Sequence, residues 1–69
     1  MTGTIAELQR DRGVGTLVGE DGRRYSFRRS SVRDCWFHEL SEGARVTFEP
    51  GTGSRAFEAS SVRLVRDSN

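Results

Sequence analysis

Lysine is absent from this chain of 69 residues; all eleven of its basic side chains are arginine. Cysteine and proline occur once each, which excludes a disulfide-stapled miniprotein and a collagen-like chain. Long apolar runs are missing too, the longest being the three residues Cys35-Trp36-Phe37. A membrane-spanning helix needs about 20 apolar residues and a signal peptide about seven, so neither is expected. The expected setting is the cytoplasm, with a reduced thiol. Catalytic side chains are equally scarce. Cys35 and His38 stand three residues apart, but a nucleophile–base pair also needs an oxyanion site and a substrate cleft. A zinc site needs three or four ligands, and these two fall short. No catalytic residue, metal or cofactor is therefore assigned, and an enzyme is not expected.

What remains is room for one small domain. Folding at this length buries only about 60% of the surface that the unfolded chain exposes. The formal charge is +1, so the chain is no polycation, yet its charge is unevenly placed. Residues 1–34 hold seven Arg against five acids, and residues 35–69 hold four against five. Five of those seven Arg fall between Arg23 and Arg33. The guanidinium is a planar fork that grips phosphate and stacks on bases, which an ammonium does not do. An all-arginine inventory is equally consistent with genome composition alone.

Short apolar-patterned runs recur at even spacing, each bounded by Gly or Asp. They are Thr4–Gln9, Val14–Val18, Arg24–Arg28, Arg45–Glu49 and Phe57–Val65. The third alternates strictly, with Tyr25 and Phe27 on one face and Ser26 and Arg28 on the other. Asp21-Gly22 between the second and third is a hairpin signal. In the last run, Ala59, Val62 and Leu64 are the expected core contributors. Ser30-Ser31-Val32 is expected to start a single helical turn, and Leu40-Ser41-Glu42-Gly43 to turn into the fourth strand. Five strands without a helical period predict an all-β fold, a small antiparallel barrel that closes to hide its edges. One domain is expected over residues 1–69, with the barrel at about 3–65 and a short polar tail at 66–69.

On these residues the chain resembles the cold-shock domain family, a five-stranded OB-fold barrel. Gly3-Thr4-Ile5 is similar to the family's opening G-T-V. Arg12-Gly13-Val14-Gly15-Thr16-Leu17 stands where the first nucleic-acid motif, K-G-F-G-F-I, would be. Tyr25-Ser26-Phe27-Arg28-Arg29-Ser30-Ser31-Val32 stands where V-F-V-H-F-S-A-I would be. The resemblance covers roughly residues 3–65 and rests on joint order and spacing, since Gly-x-Gly alone is weak.

The departures are concentrated on one surface. The family lays single-stranded DNA or RNA across exposed aromatics. Here the matching positions are Glu7, Leu8, Val14, Thr16, Ser26, Arg28 and Arg29. The inward positions stay apolar: Ile5, Leu17, Tyr25, Phe27, Val46, Phe48 and Val62. Stacking on an aromatic is worth about 1–3 kcal/mol per base, so losing four or five such contacts implies an affinity lower by orders of magnitude. The resemblance thus implies weak, largely sequence-independent binding of single-stranded RNA or DNA through an arginine-rich face. The candidate contacts are Arg12, Arg28, Arg29 and Arg55, helped by Trp36 and Phe37. The competing expectation is a protein-contact module or homodimer that has lost nucleic-acid binding. Its patch would centre on Trp36, Phe37 and Val14, Thr16 and Val18, or on a strand edge. On a third expectation, Asp11, Glu20, Asp21 and Asp34 simply neutralise neighbouring Arg, and Trp36 tucks its loop against the barrel end.

Overall fold

Strands form where the sequence alternates. The computed structural model describes residues 1–65, so the expected tail at 66–69 lies outside the described residues. The strands are β1 (Thr2–Gln9), β2 (Val14–Gly19), β3 (Arg24–Arg28), β4 (Arg45–Pro50) and β5 (Ala59–Leu64). They make one antiparallel sheet in the order β3-β2-β1-β4-β5. The sheet curls into a half-barrel whose edge strands approach each other. Two isolated parallel bridges, Ser26 with Glu58 and Val32 with Val62, join them. The Ser26 amide donates to the Phe57 carbonyl at 2.9 Å, and the Arg33 amide to the Val62 carbonyl at 2.8 Å. Edge groups that would otherwise template aggregation are in part consumed here. Among the described residues no helix is long and apolar enough to cross a membrane.

The inward face carries Ile5, Leu17, Tyr25, Phe27, Val46, Phe48, Ala59 and Val62, joined by Val32, Phe37 and Leu40 from the long β3–β4 connection. Among the described residues no polar or charged residue is buried with them. The expected core is all present, and Leu64 packs half-buried against it.

Two bulges break the alternation, and both have consequences. In β1, Ile5 pairs with Leu17 but Glu7 with Thr16, so Ala6 is an extra residue. Uninterrupted alternation from Gly3 and Ile5 would carry Glu7 into the core. The bulge reverses the phase and sends Glu7 and Gln9 outward. In β5, Thr47 pairs with Arg63 but Glu49 with Ser60. The surplus residue there is accommodated by Ser61 at φ +50°. The fifth strand is also shorter than the expected 57–65. Ala56 and Phe57 lie in a turn followed by Glu58, whose amide donates to the Arg55 carbonyl at 3.0 Å, and Phe57 stays outside the β4–β5 ladder.

Candidate functional site

The outward face of β1, β2 and β3 is a grid fixed by strand register. One row runs Gln9, Val14, Arg28, the next Glu7, Thr16, Ser26, and the third Thr4, Val18, Arg24. No aromatic ring occupies any of these positions. Arg28 stands at the end of β3, opposite Val14.

Beside Arg28, where β3 parts from the β4–β5 connection, lies an open groove of about 610 Å³. Arg28, Ser30 and Ser31 form one wall, and Arg55 and Ser60 the other. Glu58 also lines it and is its carboxylate. The short 3-10 turn Gly53–Arg55 delivers Arg55, and the turn Arg29–Ser31 delivers the two serines. Two of the sequence-predicted arginines therefore share one groove although 27 positions separate them.

Arg29 lies at a different place, against the turn that carries Arg12. Arg29 leaves the strand as the first residue of its 3-10 turn, and its amide donates to the Gly13 carbonyl at 2.8 Å. Its guanidinium lies 5.7 Å from the centroid of the Phe37 ring, within cation–π range. It also packs over Gly13, where a side-chain carbon would sit 3.5 Å away. Gly13 itself takes φ +67° to close the turn that carries Arg12. Val14 follows Gly13 in the chain and lines the groove, so the turn that carries Arg12 adjoins it.

Of the four acids expected to neutralise these arginines, Asp34 and Asp21 are engaged elsewhere, and among the described residues neither Asp11 nor Glu20 makes an ion pair. Asp34 pairs with Arg63 at 3.3 Å, an exposed contact and the one ion pair among the described residues. Asp21 accepts from the Tyr25 hydroxyl at 2.7 Å and from the Arg23 amide at 3.0 Å. The Tyr25 hydrogen bond, with that of the Arg23 amide, holds the Asp21 carboxyl below the usual carboxylate range. The same bond pushes the Tyr25 phenol up.

The two adjacent aromatics part company. Phe37 is only 5% exposed and packs tilted against Phe27 with centroids 6.1 Å apart. Expected to help the arginines as an aromatic edge, Phe37 instead has its ring against the core and beneath the Arg29 guanidinium. Trp36 is 70% exposed, so it does not tuck its loop against the barrel. Its ring runs nearly parallel to His38, 13° apart with centroids at 6.2 Å. Phe57 is 58% exposed at the start of the turn into β5.

Arg10 was not singled out by sequence reasoning. It follows β1, and its guanidinium donates to the carbonyls of His38 at 3.0 Å and Leu40 at 2.8 Å. No local signal marks it, because its acceptors are backbone groups 28 and 30 residues away.

No protein-family model matches the chain. It is 33% identical over 61 residues to cold shock protein 2 of Lactiplantibacillus plantarum, covering 88% of this chain and 92% of that protein. It is also 33% identical over 60 residues to cold shock protein 1 of the same organism, covering 87% and 91%. With the five-stranded half-barrel, these similarities show that this chain belongs to the cold shock protein family.

Proposed function

We propose that this protein binds single-stranded nucleic acid, RNA foremost, weakly and with little base preference. The ligand backbone lies along Arg12, Arg29, Arg28 and Arg55, and no chemistry is performed on it. The observation that carries this reading is the groove lined by both Arg28 and Arg55, neither of them in an ion pair among the described residues. Family membership supports the ligand class. Guanidinium groups bind phosphate in bidentate fashion, and Ser30 and Ser31 add hydroxyl donors on the same wall. Glu7 and Glu58 oppose an anion locally, which keeps the affinity low. Because phosphate contacts carry no sequence information directly, discrimination between bases is small.

The test is a fluorescence titration of Trp36, the single tryptophan, with a pyrimidine-rich oligonucleotide at low and physiological salt. Saturable quenching that weakens with salt is expected, as counterion release requires. Arg28→Glu combined with Arg29→Glu is expected to abolish it. Unchanged binding by that double variant refutes the surface. The exposed Trp36 and Phe57 favour one competing reading, a protein-contact module. A silent titration at low salt together with a dimer in light scattering would establish that reading instead.

A further inference from the structure

The 3-10 turn Phe37–Glu39 is held from both sides. Inside, Phe37 and Leu40 are buried in the core. Around Trp36, the backbone is tied at both of its polar groups. The Trp36 amide donates to a Glu39 carboxylate oxygen at 2.8 Å, and the Trp36 carbonyl accepts from the Glu39 amide at 2.9 Å. Then Arg10 crosses from the end of β1 and grips the carbonyls of His38 and Leu40. The Arg10 bond to His38 and the Trp36 bond to Glu39 are exposed, and the Arg10 bond to Leu40 is partly buried. What these bonds do is hold a large aromatic ring outward on a backbone that is already ordered.

We infer that Trp36, flanked by His38, is a one-base stacking clip that restores on the β3–β4 loop a contact missing from the strands, and that Arg10 is its positioning residue. The inference rests on the single-strand reading above and adds to it the place where a base is met. The Trp36 ring is exposed and nearly parallel to its neighbour, so one π face is available to a nucleobase of any identity. Preorganisation matters for a weak binder, because ordering a loop on binding consumes part of the interaction energy. Two of the five Arg10 N–H donors hold these carbonyl oxygens, one from each terminal nitrogen, which anchors its side chain to the loop. It therefore acts on the ligand through Trp36, not through a phosphate.

The experiment uses the full chain and fluorescein-labelled heptathymidylate, read by anisotropy over a range of salt. Three single variants, Trp36→Ala, Arg10→Met and Arg10→Lys, are compared with the Trp36→Ala/Arg10→Met pair. Trp36→Ala is expected to weaken binding roughly tenfold, within the range for one stacked base. Arg10→Met weakens it by a comparable factor, the double variant is no weaker than Trp36→Ala alone, and Arg10→Lys fails to restore wild-type affinity. The slope of log K against log salt stays at its wild-type value in Arg10→Met. A slope shallower by about 0.7, the contribution of one phosphate on a single strand, or full recovery with lysine, makes Arg10 a phosphate contact and overturns its positioning role. Wild-type affinity in Trp36→Ala overturns the clip but leaves the arginine surface standing. Failure of the unaltered protein to bind overturns both. Because Trp36 is exposed, its removal tests the clip without threatening the fold.

Discussion

Gly15 shows how a motif residue is chosen by packing. A side-chain carbon there would come within 2.6 Å of the Phe27 ring and 3.0 Å of the Glu7 carbonyl, so only hydrogen fits. Gly13, two positions earlier, serves the turn through its left-handed backbone. Gly-x-Gly in this chain is thus explained by a tight turn followed by a ring beneath the strand, without any phosphate. Gly15→Ala is expected to cost about 1–3 kcal/mol, the usual penalty for overfilling a packed interior. A lowered urea midpoint with an unchanged m-value checks it, and wild-type stability would mean that Phe27 has room to move. The neighbouring arginines follow a similar logic. Their type and outward placement could be read from alternation, but whether a carboxylate claims each one depends on side chains brought close only by folding.

The β2–β3 hairpin carries the clearest titrating link. Its turn, Glu20 to Arg23, passes through Gly22 at φ +81°, and Asp21 bonds both the following backbone and the Tyr25 hydroxyl. Folding lowers the Asp21 pKa, so its contribution to stability is present above the unfolded value of about 3.9 and is lost as pH falls through the folded value. Folding raises the Tyr25 pKa, so that contribution is present below about 10 and is lost as pH rises through the folded value. The stability difference between wild type and Tyr25→Phe should therefore be largest at neutral pH and shrink at both extremes. Urea unfolding at about pH 3, 7 and 11 measures it, and a difference independent of pH would remove the hydrogen bond from the account. The hairpin itself was legible from Asp21-Gly22 between alternating runs, since both signals are local. The two bulges were not. A bulge is set by how a strand must bend to meet its partners, and β1 pairs with β2 on one side and β4 on the other.

For a domain this small the interior is shared by few side chains, and each large one matters to the whole. Phe37→Ala removes a ring that seals the β3–β4 connection onto the core, with an expected loss of about 3–5 kcal/mol. Against a typical total of about 5–15 kcal/mol, that leaves the molecule near unfolding at ambient temperature. Trp36→Ala, one residue away, should change stability by less than about 0.5 kcal/mol, as exposed substitutions do. Thermal unfolding of the pair decides the matter, and equal losses would contradict the assigned burial. Local order in the chain was enough to predict five strands, their apolar face and an all-β sheet that curls on itself, because alternation and turn residues act over a few positions. The resemblance to the cold-shock family, not local order, marked the outward positions where aromatics are missing. Neither was enough to say which of Trp36 and Phe37 is covered, that Arg28 and Arg55 flank one groove, or that Arg10 grips a distant loop. Those depend on groups far apart in the chain, and proximity between such groups exists only after the sheet has curled.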